Sequence, residues 1–505
     1  MNRRFFVAIA AAGALGLTGI APVDADVGVD SSALRDAVTV DGIVEHLEAF
    51  QAIADANGGT RASGTPGYDA SAAYVADRLE AAGYSVTVQD FIFDFFEELV
   101  PAEFKRISPD PRVFTDAEFA TMEFSGSGDV TGALVPTNDV LVPPGNQANS
   151  SSSGCEASDF VPASPTEPQV ALVQRGTCTF ADKALNAEAA GYDAVIIFNE
   201  GQAGRQDVLF GTLGEARPTV PVIGTDFAVG AELYTQTLSG PVTVRVATST
   251  LITPTPTSNV IADSPGGRAD RTVVVGAHLD SVPEGPGIND NGSGSAAILE
   301  IAEAMSELGI TPTNRVRFAF WGAEESGLVG ALHYVAGLTA KQRRDIALNL
   351  NFDMVGSPNY VRFVYDGDGS DTPVAGPNGS GRIEQVFLDY FASQDLPTEP
   401  TAQDGRSDYV AFTNVGIPAG GLFTGAEGIK TAEEAAIYGG TAGVAYDPCY
   451  HQACDTIANV STQAVDEMSD AAAHATLTFA MTTSAVSGTA RASSVATGAG
   501  AHGAA

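Results

Sequence analysis

Across residues 41–93 the apolar positions follow two periods in turn. "VDGIVEHLEAFQAIADANGG" and "GYDASAAYVADRLEAAGY" space their apolar residues as helices do, and "SVTVQDFIF" predicts a strand. From about Ser125 to Thr250 the texture changes to Val, Gly, Pro and Ser, with short strands at "VALVQRG", "AVIIFN" and "VTVRVAT". One helix, "FADKALNAEAAGY", is expected among them, and "ITPTPTSN" (252–259) has the composition of a linker. Beyond it the first texture resumes. Strands are expected at "TVVVGAHL", "RVRFAFW", "ALNLNFDM", "VRFVY" and "IPAGGLF", and helices at "SAAILEIAEAMSEL", "GLVGALHYVAGL" and "IEQVFLDYFASQ". Near-continuous apolar strands alternating with helices predict an α/β fold: a mostly parallel mixed sheet flanked by helices. The expected organisation is one discontinuous α/β domain (26–125 and 253–485), a smaller β-rich domain inserted at 126–252, and a low-complexity tail at 486–505.

Residues 1–25 do not fit that pattern. Arg3 and Arg4 precede the apolar run "FFVAIAAAGALGLTGI", and Val23-Asp24-Ala25 resembles a small-residue cleavage site. This is the pattern of an export signal, of the general secretory or the twin-arginine kind, and predicts a secreted protein. The run is short for a membrane span, and no later stretch is long and apolar enough to be one. The formal net charge of −37 disfavours nucleic acid as a partner and favours cationic ligands, including peptides with a free amino terminus. A monomer is expected. Cys155, Cys178, Cys449 and Cys454 are an even, low count, which in an exported chain indicates disulfides. Three pairings are formally possible, and the closeness of Cys449 to Cys454 favours a local bridge that leaves Cys155 with Cys178.

In open α/β sheets ligands gather at the carboxyl ends of strands. Polar residues collect there in this chain. His278 and Asp280 follow "TVVVGA", Asp290 follows the next loop, Glu324 and Glu325 follow "RVRFAFWGA", Asp353 ends "NLNFD", and Tyr450, His451 and Asp455 lie in "CYHQACD". Each alone has a plainer reading as a turn, a cap or a solvated face; their joint placement is the signal. Imidazoles with carboxylates suit zinc. Two histidines and three carboxylates are too many for one open catalytic zinc and about right for two ions sharing a carboxylate. Two Zn²⁺ against three carboxylates and a hydroxide sum to zero charge. Glu324 is then left over beside a ligand, as a general base should be.

"GAHLDSV…NDNGSGSA", "FWGAEESGLVG", "NFDMVG", "GRSDY" and "CYHQACD", in this order, closely resemble the secreted co-catalytic zinc aminopeptidases of the bacterial leucine-aminopeptidase and aminopeptidase Y kind. "ALVQRGTCTFADKALNAEAAGYDAVIIFNE" resembles a protease-associated domain. The resemblance implies that His278 and Asp353 bind one zinc, Glu325 and His451 bind the other, and Asp290 bridges. It implies Glu324 as general base, Asp280 orienting His278, Tyr450 stabilising the oxyanion, and Arg406 orienting substrate. It further implies a cis Asp290–Asn291 peptide and a preference for a leucine-like first residue. Two other readings compete. A two-metal carboxypeptidase would need a basic pocket, for which Arg406 is the main candidate, and a catalytically dead receptor would have lost Glu324 or a ligand. "YDGDGSD" (365–371) has acidic spacing that could hold Ca²⁺, but a plain turn is favoured because the full EF-hand pattern is absent.

Overall fold

A computed structural model describes residues 28–202, 204–214 and 217–487. The expected export signal lies outside them, as does the expected tail from residue 488 on. Among the described residues fourteen strands join in one sheet. In spatial order the half that carries the polar cluster runs Glu399–Thr401, Phe363–Tyr365, Ala419–Phe423, Ile346–Phe352, Arg268–His278 and Asn314–Trp321. Its central strands Ala419–Phe423, Ile346–Phe352, Arg268–His278 and Asn314–Trp321 are parallel, and antiparallel pairs flank them. The alternation of side chains shows why both faces need cover. Along Arg268–His278, Val273, Val275 and Ala277 enter one buried layer with the helices Val40–Ala56, Gly294–Glu307 and Thr462–Met481, while Val274 enters another with Tyr334, Val335 and Phe412.

Two long strands tie the halves of the molecule together. Ser85–Ser108 pairs antiparallel with Thr243–Asp263 along its length, from Ser85 opposite Asp263 to Ser108 opposite Thr243. One end of Thr243–Asp263 also pairs with Asn314–Trp321, and the other end with Gly128–Pro136, the first strand of the insert. The segment 252–259 is therefore not a linker but part of this strand. Pro254 and Pro256 are compatible with that strand. They lie where the strand has a sheet neighbour on one side only, and there a missing N–H breaks no ladder. The insert also holds a second helix, Phe227–Thr237, capped by Asp226 accepting from Val229 N at 2.6 Å. Its strands Gly128–Pro136, Gln169–Gln174, Ala194–Phe198 and Val222–Thr225 run parallel.

Both expected disulfides are present, Cys155–Cys178 in the insert and Cys449–Cys454 beside the polar cluster. Near the first, Lys183 is fully buried, donates to the Ser153 carbonyl and lies 3.6 Å from Cys155 Sγ. Burial pushes its ammonium from an ordinary 10.5 down to about 8. Between those values the unfolded chain holds a proton that the folded chain has released, so stability rises with pH across this window. Relative to Lys183→Met, the wild type is expected to gain about 2 kcal/mol of unfolding free energy between about pH 8 and pH 10, followed by denaturant unfolding. Parallel curves for the two proteins would show an unperturbed lysine.

Candidate metal centre

The carboxyl edge of the parallel strands delivers the polar residues to one place. His278 is the last residue of its strand, and Asp353 directly follows Ile346–Phe352. Glu324 and Glu325 follow Asn314–Trp321 through Ala323, which has φ +53° and whose N–H is held by Ser63 Oγ at 2.6 Å. His451 has φ +56° in the loop closed by the Cys449–Cys454 bridge, with its ring stacked on Tyr450 at 3.8 Å between centroids.

The loop that carries Asp290 is fixed from three sides. Arg61, fully buried, donates to the carbonyls of Leu279, Pro286 (2.8 Å) and Gly287 (2.6 Å). Asp455 accepts from the backbone N–H groups of Asn289 and Asp290, each at 2.9 Å. Asn291 donates to Phe352 O at 2.9 Å and accepts from Gly294 N and Met354 N at 2.9 and 3.1 Å, which joins the loop to the neighbouring strand end. The Asp290–Asn291 peptide is cis. Gly287 has φ +60°, and a Cβ there would come within 2.3 Å of Asp290 O; one on Gly294 would lie 2.2 Å from Phe352 O.

The Asp290 carboxylate lies between the two imidazoles. Its Oδ1 is 3.2 Å from His278 Nε2, and its Oδ2 is 3.3 Å from His451 Nε2. Asp353 Oδ1 lies 3.2 Å from His278 Nε2, and Glu325 Oε2 lies 3.1 Å from His451 Nε2. Donors of a tetrahedral ion with bonds of about 2.0–2.1 Å lie about 3.3 Å apart, so these separations fit a divalent cation in each half. Glu324 Oε2 is more distant from His278 Nε2, at 3.9 Å. The five residues expected as ligands are thus brought together, with Glu324 beside them.

Charge makes the same point. Two like charges about 4 Å apart cost about 4 kcal/mol at an effective dielectric of 20, and a few such pairs would cancel a typical net stability of about 5–15 kcal/mol. The same crowding shows in the directions in which these groups' proton affinities are pushed. Burial raises Glu324 well above the carboxylate range; His278 opposes that shift, while Glu325, Asp408 and Asp353 add to it. Burial likewise pushes Glu325 up to about 7. For His451, burial works against the charged form, but Glu325 and Asp290 outweigh it and push the imidazole up to about 11. Asp290 would be raised by burial, yet the two histidines hold it below the usual range. One oxygen each of Glu325 and Asp280, and both of Asp408, are buried without a hydrogen-bond partner.

The surrounding residues differ in part from expectation. His278 Nδ1 lies 3.1 Å from the backbone carbonyl of Asp280 and 3.7 Å from its carboxylate, and Asp280 Oδ1 accepts from Glu324 N at 3.2 Å. Asp280 thus meets the histidine through its main chain, while its side chain braces the neighbouring strand end. Arg406 pairs with Glu427 at 2.8 and 3.2 Å and donates to Tyr450 Oη at 3.3 Å. Sequence reasoning missed Ser407, which donates to Asp353 Oδ2 at 2.6 Å, and Asp408, fully buried beside it. Their only signal was adjacency to Arg406 in "GRSDY". It placed Asp455 in "CYHQACD" without a role, and it missed Arg61, which has no local pattern. In the acidic loop at 365–371, Asp366 accepts the backbone N–H groups of Gly369, Ser370, Asp371 and Thr372, as a plain turn does.

Fold and donor set together define a metallopeptidase with an inserted domain. The model for Peptidase family M28 matches residues 259–476, and that for the PA domain matches residues 130–233. An aminopeptidase of Pseudomonas aeruginosa is 46% identical over 447 residues, covering 88% of this chain and 81% of that one. A probable leucine aminopeptidase 2 of Aspergillus fumigatus is 42% identical over 360 residues, covering 71% of this chain and 68% of that one. The structure of BSAP, a zinc aminopeptidase from Bacillus subtilis, superposes with a TM-score of 0.59 at 25% identity, covering 86% of this chain and 94% of that one. The chain belongs to Peptidase family M28, as a metallo-aminopeptidase with a PA domain inserted in its fold.

Removing the Arg61 guanidinium would strand three carbonyls in a buried loop. Arg61→Met is expected to cost at least about 3 kcal/mol in denaturant unfolding. A loss under about 1 kcal/mol would mean that the loop holds itself.

Proposed function

We propose that this chain is exported and removes the N-terminal residue, preferentially a leucine-like one, from peptides and proteins. The proposal assigns it two zinc ions, one held by His278 and Asp353, the other by Glu325 and His451, with Asp290 shared. The observation that carries the reading is the Asp290 carboxylate, whose two oxygens each face a different histidine, while Glu324 lies farther from His278 Nε2 than Asp290 or Asp353 does. The name of the Bacillus relative supports zinc, and that of the Aspergillus relative supports the leucine preference. No helix among the described residues is long and apolar enough to cross a membrane.

Zinc bound there supplies polarisation of the scissile carbonyl and a water acidified to a pKa of about 7. The side chains do the rest. Glu324, buried beside the donor set, takes a proton from the attacking water and hands it to the departing amine. Tyr450 donates a hydrogen bond to the carbonyl oxygen as it gains charge. Its own oxygen accepts from Arg406, which Glu427 holds in place, so the phenolic proton is left for the substrate. That geometry supports a role for Arg406 in positioning Tyr450. A substrate α-ammonium is stabilised among Glu324, Asp353 and their neighbours, which is the physical reason for action at a free amino terminus.

The test uses wild type and Glu324→Gln on a panel of aminoacyl-anilides and their N-acetylated forms. We expect the variant to keep its zinc and lose activity by at least about 10³-fold. The wild type should cleave free leucyl-anilide and spare the acetylated one. A fully active variant refutes the assigned base, and equal rates on free and acetylated substrates refute the aminopeptidase reading.

A further inference from the structure

Part-way along the helix that follows the Asp290 loop, a second cluster pairs a buried histidine with two half-buried carboxylates. His46 lies on the helix Val40–Ala56 with its side chain fully buried. Glu300 and Glu303 lie three residues apart on the helix Gly294–Glu307, and so on one face of it. One donor atom from each of the three lies within 4.8 Å of the others. His46 Nε2 faces the carboxylates, 3.5 Å from Glu300 Oε2 and 3.9 Å from Glu303 Oε2, and has no hydrogen-bond partner. Its other ring nitrogen is engaged, 2.8 Å from Tyr74 Oη.

We propose that His46, Glu300 and Glu303 form a third metal site, which takes a zinc-like divalent cation. In the tautomer that donates Nδ1–H to Tyr74 Oη, Nε2 presents a lone pair to two carboxylates, and that arrangement needs a cation between them. A proton is the competing occupant. A buried imidazolium draws a facing carboxylate to about 2.7–2.9 Å, and neither 3.5 nor 3.9 Å meets that. A cation with bonds of about 2.0–2.2 Å to each side spans both gaps. Charge agrees: Glu45, Glu300 and Glu303 bring three negative charges, and among the described residues the cation bonded to them is Arg78, to Glu303 at 2.6 Å twice and to Glu45 at 2.8 Å. A divalent ion balances the remainder. An imidazole ligand favours zinc and its first-row neighbours over calcium.

The pocket is also built for close approach. Glu300 Oε1 presses on the first turn of the helix Val40–Ala56, 3.4 Å from Thr39 N, and a Cβ on Gly42 would fall 2.1 Å from it. A metal here would pin the helix that starts at the Asp290 loop to the helix Val40–Ala56, away from the reacting atoms.

The experiment loads wild type, His46→Gln and Glu300→Gln with Zn²⁺, removes free metal by desalting, and counts bound zinc by plasma mass spectrometry. Each variant is expected to hold one zinc fewer than the wild type, with kcat/KM on leucyl-anilide within about twofold. A wild-type count equal to that of the variants would overturn the site. Should His46→Gln fail to fold, Glu300→Gln gives the same reading, because glutamine keeps the shape and the contact with Thr39. The zinc count does not depend on activity, so a failure of the catalytic proposal leaves this test intact.

Discussion

The Asp290 carboxylate holds two imidazoles apart and together, at 3.2 and 3.3 Å from its two oxygens. That position is costly to create. The carboxylate is buried, its loop is polar, and the chain must turn sharply between a strand and a helix. Much of the surrounding structure can be traced to meeting that cost. Arg61 collects three carbonyls of the approach, Asp455 takes two N–H groups of the turn, and Asn291 binds the turn to the next strand end. Arg61 works under load, since burial lowers its guanidinium to about 10 and Asp280, Asp455 and Asp290 hold it charged.

The insert is anchored by continuity of the sheet. The paired strands Ser85–Ser108 and Thr243–Asp263 form a common spine, so the inserted PA domain and the catalytic layers share hydrogen-bonded edges. Arg217 reinforces the junction, pairing with Asp94 at 2.5 Å and lying over the Phe124 ring, which packs on Phe96. Glu123, just ahead of the insert, bonds through its backbone to Gly211 and Leu213 within it.

The architecture was legible because its signals are local. Alternating apolar strands and helices gave the layers, and the strand ends gave His278, Glu324, Glu325 and Asp353. What was not legible depends on long-range pairing. The prolines at 254 and 256 look like a linker until the one-sided ladder is known, and the helix Phe227–Thr237 is a short apolar run whose cap is a single aspartate. Asp408, Ser407, Asp455 and Arg61 act on residues far along the chain, at places no spacing encodes. The contact of Asp280 with His278 through its carbonyl is likewise a matter of local backbone direction, which residue identity does not specify.

The central claim is that one carboxylate is shared by two metal ions. Anomalous diffraction at the zinc edge, from crystals of the zinc-loaded protein, tests it most directly. The account predicts two peaks about 3.5–4 Å apart, one on each side of Asp290, with His278 and Asp353 at one and Glu325 and His451 at the other. A single peak at this edge of the sheet, or two peaks that leave Asp290 out of contact with either ion, would contradict it.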